Sequence, residues 1–222
     1  MSEIDLKTTW NQRSPESFEE SAIAGGRVEG IASAAHLARA VLKPGDAVLD
    51  VGCGVGLLAV QLPSVNVIGV DFSGSLLARA KKRLRVTQGS VFALPVTDRA
   101  FAVVTCLFVL DDYDTTTKRA AICHLARAAR VGGSIIVGGY APDDERMGSR
   151  RHEASEGVIV VHLEDEPFYR EALEAISDTG TVGIEHVRTL GHSLIDGTTS
   201  PMQRHFILAV TTVSDRAEDK SR

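Results

Sequence analysis

The sequence predicts a doubly wound α/β fold, a mostly parallel sheet with helices on both faces. Three observations predict it. Short apolar runs alternate with stretches of helical spacing along most of the chain. The first such run, at 47–51, ends in closely spaced glycines. Asp71 closes the second run, about twenty residues on, where α/β nucleotide sites often carry an acid.

The elements follow in order. Residues 30–41 keep helical spacing through Ile31, Ala34, Ala35, Leu37, Ala38 and Val41. Lys43-Pro44-Gly45-Asp46 breaks that helix. The run 47–51 suits a parallel strand buried on both faces. A helix over 57–62 and a second strand over 65–70 come next. Residues 75–84 set Leu76, Leu77, Ala80 and Leu84 on one helical face; 86–88 is a brief strand and 101–109 a longer one. Helix 115–129 turns Ala121, Ile122 and Leu125 to the core, and Val131-Gly132-Gly133 leads into a fifth strand at 134–140.

Beyond Tyr140 the pattern changes. Residues 141–157 are polar and charged without a period, and read as a loop or cover. Residues 158–163 suit an extra strand and 167–179 a helix. The runs 181–190 and 203–212 form a C-terminal antiparallel hairpin across a loop at 191–202, which brings the main sheet to seven strands. The expected organisation is a helical N-terminal cover over 1–30, one domain over 31–213, and a charged, disordered tail at 214–222.

Composition narrows the function. The 222 residues suffice for one sizeable core and are marginal for two. A net charge of −5 gives no general attraction to polyanions, so no nucleic-acid partner is expected. The densest basic run, Lys81-Lys82-Arg83-Leu84-Arg85, reads as a solvated helix face. Cys53, Cys106 and Cys123 form no disulfide framework and suit buried thiols in a reducing compartment. The first ten residues lack the basic-then-apolar order of a signal peptide, and no apolar run reaches the length of a membrane span. A cytoplasmic protein without membrane contact is expected. No Asp, Glu or His spacing suggests a metal site.

The most informative stretch is Leu49-Asp50-Val51-Gly52-Cys53-Gly54-Val55-Gly56. Glycines directly after a strand let the backbone turn sharply and approach a ligand without Cβ clashes. Asp71, at the end of the next strand, stands where a carboxylate accepts from ribose hydroxyls. A dinucleotide fingerprint needs its third glycine at position 57, which is Leu57; the glycine falls at Gly56 instead. With Asp50 before it, the loop suits a nucleoside ligand carrying an ammonium group better than an extended pyrophosphate.

The segments VLDVGCGVG and VIGVDFS resemble the first two motifs of class I S-adenosylmethionine-dependent methyltransferases, on a Rossmann-like fold. The resemblance continues through QGSVFALPVTDRAFAVVTCLFVLDDYD and ARAARVGGSIIVGGY and covers about 35–140. It implies S-adenosylmethionine as cofactor. It places Gly52, Cys53 and Gly54 around the methionine portion, with Cys106 and Leu107 closing that side, next to the cofactor-binding candidate Asp50. Asp71 would take the ribose, Phe72 would flank the adenine, and Ser90 and Val91 would meet its edge. Trp10, in WNQRSPESF, resembles the N-terminal helix that covers the cofactor in small members. Two positions depart from the family. Ser90 stands where an acid often accepts from the adenine amino group, and Ala102 where the family often has Asp.

Methyl transfer from a sulfonium is an in-line displacement that alignment and desolvation accelerate; a general base helps when the acceptor is a hydroxyl or an acidic carbon. Asp111, Asp112 and Tyr113 stand near a strand end as substrate-facing candidates, although acids there also suit a helix N-terminus. Tyr140 and His152 are the candidate catalytic residues, His152 lying in the charged segment after the fifth strand. His162 and His192 read as packing or surface residues, His192 in the hairpin loop. No inserted domain is visible to dock a macromolecule, so a small-molecule acceptor is expected ahead of protein or tRNA. The alternatives are a cyclase or other non-methylating protein on the same fold, and an NAD(P)-dependent oxidoreductase.

Overall fold

The computed structural model describes residues 8–145, 151–154, 157–195 and 198–214, with side chains over 8–145, 161–192 and 200–214. After a helical stretch at 8–11, helix α1 (Pro15–Ala24) starts on a Ser14 N-cap, whose hydroxyl accepts from Ser17 N–H. Gly26, at φ +73°, then turns the chain into α2 (Arg27–Val41), so this helix begins three residues before the apolar spacing does. The strands β1 (Ala47–Val51), β2 (Asn66–Asp71) and β3 (Arg85–Gln88) alternate with α3 (Leu57–Gln61) and α4 (Gly74–Ala80). Next come β4 (Phe101–Leu107), a 3-10 turn at Leu110–Asp112, α5 (Thr115–Ala128) and β5 (Ala129–Tyr140).

The main sheet has seven strands, in the order β3-β2-β1-β4-β5-β9-β8, where β8 is Ser177–Ile195 and β9 is Thr198–Val213. The first five run parallel and β9 enters antiparallel between β5 and β8. Alternation along each strand builds two cores. Val48, Val67, Val103, Ile136 and Leu208 face α2 and α3. Leu49, Val51, Val104, Ile135 and Ile207 face α5 and α6 (Glu166–Glu174). Each fully buried Leu or Ile contributes about 1.5–3 kcal/mol relative to exposure.

The C-terminal third departs from the sequence reading. The loop expected at 191–202 is hairpin instead: Gly191 pairs Met202 and His192 pairs Pro201. Pro201 lacks a donor but lies beyond the β5–β9 pairing, which ends at Tyr140–Phe206, so its other edge needs none. Within the expected cover at 141–157, β6 (Arg151–Ala154) pairs with β7 (Gly157–Val160) as a separate two-stranded sheet. Helix α6 ends at Glu174, because Ser177 already pairs with Val213. Among the described residues, no helix is long and apolar enough to cross a membrane.

Candidate active site

The carboxyl ends of β1, β2 and β4 converge on one cavity. Gly52, Gly54 and Gly56 take φ of +73°, +52° and +83° after β1, a left-handed path that other residues adopt only with strain. Val70 O accepts from Gly52 N–H at 2.7 Å and from Cys53 N–H at 3.0 Å, which ties the loop to β2. Asp71 closes the arrangement. Its Oδ2 accepts from Gly54 N–H and its Oδ1 from Ser73 N–H, both at 2.8 Å. Each oxygen keeps a further acceptor site in the cavity wall.

Asp50 lies beside this loop, buried at 4% exposure. Burial pushes its carboxyl up to about 7, against the hydrogen bond donated by Thr105 Oγ1 at 2.8 Å. Among the described residues it has no cationic partner, so a bound ammonium group would stabilise its ionised form. Burial likewise raises Asp71 and the Cys53 thiol, which is therefore an unreactive wall.

The β4 side carries the rest. Phe108 takes φ +58°, a strained backbone costing about 1–3 kcal/mol where it occurs. Its N–H donates to Gly138 O, and its ring packs on Tyr140 and Phe206 at centroid distances of 5.3 and 5.1 Å. Gly30 makes room beneath: a Cβ there would sit 2.8 Å from Phe108 Cζ. Asp112, in the 3-10 turn, accepts from the Trp10 indole at 2.9 Å, and Tyr113 meets the Phe92 ring edge-on at 5.4 Å. Burial raises the Asp112 carboxyl to about 6, opposed by Trp10, Arg13 and Arg27.

Of the residues singled out in the sequence, Trp10, Asp50, Gly52, Cys53, Gly54 and Asp71 line the cavity. So do Phe72, Ser90, Val91, Leu107, Asp112 and Tyr113. Three do not. Cys106 is fully buried in β4, one residue before Leu107, and strand alternation turns it into the α5 core. Asp111 points away from the cavity: its Oδ2 accepts from Tyr140 N–H at 3.2 Å and its carbonyl from His162 N–H. Only a glycine at 139 admits it, since a Cβ there would stand 2.4 Å from Asp111 Oδ1. Tyr140 is buried between Phe108 and Phe206, behind the wall rather than in it. His152 stands in β6, where its side chain is outside the described residues, and His192 lies in β8 rather than a loop. Phe18, Arg27, Ile31 and Phe108 line the cavity without having been read as site residues. The one signal for Phe18 and Arg27 is their closeness to Trp10 and to the Gly25-Gly26 break. Among the described residues no group of three or more His, Cys, Asp or Glu is placed to hold a metal.

Comparison with known proteins agrees with this geometry. Residues 48–133 match a family model described as a methyltransferase domain. A "Probable tRNA methyltransferase 9B" of Mus musculus is 29% identical over 119 residues, 53% of this chain and 26% of that protein. A demethylmenaquinone methyltransferase of Lactobacillus johnsonii is 40% identical over 83 residues, 31% of this chain and 34% of that one. The chain thus spans about a quarter to a third of the length of these relatives. Among solved structures, an S-adenosylmethionine-dependent methyltransferase from Clostridium acetobutylicum superposes with a TM-score of 0.61 at 14% identity, covering 90% of this chain and 98% of that one. The magnesium protoporphyrin IX methyltransferase of Synechocystis PCC 6803, with bound SAM, gives 0.55 at 22% identity, covering 84% and 80%. In its sheet order, its glycine loop and the match over residues 48–133, the chain is similar to S-adenosylmethionine-dependent methyltransferases.

Proposed function

We propose that this protein transfers a methyl group from S-adenosylmethionine to a small-molecule acceptor by in-line displacement. One observation carries the reading: a single cavity runs from Asp71 and the Gly52–Gly54 backbone to Asp112 and Tyr113 on the β4 side. The residues fit the cofactor. Asp71 offers acceptor sites to a ribose diol, the Gly52–Gly54 turn leaves backbone free of Cβ atoms, and Asp50 is a buried carboxyl that an ammonium would ionise. Bound there, S-adenosylmethionine would supply an activated methyl group; the protein's part is to align the acceptor and exclude water. Trp10, Phe18, Ile31 and Phe108 give the remaining wall an apolar, largely aromatic character suited to a compact organic acceptor.

The relatives' names divide between a small molecule and tRNA. The net charge of −5 favours the former. Calorimetric titration with S-adenosylhomocysteine, with NADH as control, tests the cofactor. Micromolar binding that falls about 100-fold in Asp71→Ala, through loss of charge-assisted hydrogen bonds to the ribose, supports the reading. Heat with NADH alone ends it. Radiolabelled methyl recovered in tRNA rather than in small molecules, after incubation with a cell extract, would overturn the acceptor class while leaving methyl transfer in place.

A further inference from the structure

Asp112 is at once a wall of the cavity and the anchor of the N-terminal segment. Its Oδ2 accepts from the Trp10 indole across 102 residues of sequence. The same segment is fixed on the β2 side. Ser73 Oγ donates to Trp10 O, and Gly74 N–H donates to Asn11 Oδ1 at 2.8 Å. Glu19 of α1 pairs with Arg79 and Arg83 beyond α4's first turns. On the β4 side, Trp10–Asp112 is the corresponding tether. Trp10, Phe18 and Ala22 of this N-terminal region form part of the cavity wall, so a ligand bound there lies against it.

We propose that Asp112 is the proton acceptor for the group being methylated and that Trp10 positions it, so that proton uptake at Asp112 loosens the N-terminal segment. The inference rests on the methyl-transfer reading. In that step the acceptor's O–H or N–H heteroatom bonds the methyl carbon, and the sulfonium C–S bond breaks with its electron pair left on sulfur. The proton passes to an Asp112 oxygen, giving a neutral carboxyl. A neutral carboxyl is a weaker acceptor for the indole than a carboxylate, so the tether weakens as product forms.

The surroundings suit the role. Arg13 from the N-terminal segment, Arg27 from α2 and Lys118 from α5 face Asp112 with positive charge, and Asp111 beside it opposes them. Their balance against burial leaves the carboxyl near 6, ionised at neutral pH yet basic enough to take a proton.

Trp10 is the only tryptophan in the chain, so it gives one indole N–H signal in a nitrogen–proton correlation spectrum. Titrated from pH 4.5 to 8, that signal moves with a midpoint of about 6, together with the Asp112 carboxyl carbon in aspartate-labelled protein. In Asp112→Asn the movement is gone. Release of S-adenosylhomocysteine from the wild type is about fivefold faster at pH 5.5 than at 7.5, the gap between a charge-assisted and a neutral hydrogen bond, and pH-independent in the variant. An indole signal that stays fixed, or that moves without the Asp112 carbon, overturns the proposal, as does release insensitive to pH. The carboxyl-carbon measurement uses wild-type protein and stands even if Asp112→Asn does not fold. The indole titration needs no cofactor, so this inference and the methyl-transfer reading fail separately.

Discussion

Carboxylates at the two sides of this molecule live under opposite electrostatics. At the strand ends, burial pushes Asp50 and Asp111 up to about 7 and Asp112 up to about 6. On the outer elements the direction reverses. Arg83 and Arg79 hold Glu19 below its ordinary range, and Arg170 and His186 do the same for Glu166. Asp143 is raised by desolvation, but His205 and Arg188 outweigh it and bring it down. The outer carboxylates have their counter-charges within the fold. Asp50 faces the cavity with no cationic partner among the described residues, so the charge that would settle it comes with a ligand, whereas Asp112 also has Arg13, Arg27 and Lys118 near it. The difference separates acids paired within the fold from acids raised by burial at the cavity, the pattern expected of a functional site.

The largest effect that sharpens this contrast is on the structural side. Arg204 is buried at 1% exposure, donates to Asp144 at 2.9 Å and to Gly25 O at 2.7 Å, and lies over the Tyr140 ring at 5.2 Å. Arg204→Ala removes the cation from a buried pair and should cost about 3–5 kcal/mol in urea unfolding. A loss below about 1 kcal/mol would mean that the pair is no strut.

Asp50→Asn should act in the opposite direction. A carboxyl near 7 in the fold and near 3.8 when unfolded binds more protons in the native state between those values. Its contribution is full below the unfolded value and falls as pH rises towards 7. Asn removes that loss, so at pH 8 the empty variant should gain about 2 kcal/mol, roughly 4–8 °C in Tm, while binding S-adenosylhomocysteine about tenfold more weakly. An equal change in Tm at pH 5 and pH 8 would break the comparison.

The smallest effect belongs to Glu166→Gln. Its partner Arg170 is one turn away and both side chains are substantially exposed, at 39% and 42%. Solvent screens such an exposed pair, so Tm should fall by less than about 4 °C, with the affinity for S-adenosylhomocysteine unchanged. A larger loss would show that the Glu166–His186–His205 contacts act as a unit.

Much of the glycine-loop side of the cavity was legible because its parts are local. The Gly52–Gly56 turn follows β1 directly, and Asp71, Phe72, Ser90 and Val91 stand at or just after the ends of β2 and β3. A strand end delivers consecutive residues to the same crevice. The β4 side was less legible because position along the chain does not fix direction. Asp111 and Asp112 are adjacent, yet one turns to Tyr140 N–H and the other to the Trp10 indole. Tyr140 ends its strand as expected, but its register with Phe206 sends the ring behind the wall.

The alternation of strands and helices, the glycine turn and the acid at the end of β2 are written in short stretches of the chain. Hydrophobic period and backbone conformation are encoded within a few residues. The tertiary structure alone decided which distant groups meet: Trp10 with Asp112, Gly30 with Phe108, and Arg204 with Asp144 and Gly25. It also decided that Gly191 and Pro201 lie in paired strands, although each reads locally as a turn. Pairing with a partner far along the chain contributes hydrogen bonds and packing that no local window contains, and here it outweighs local propensity.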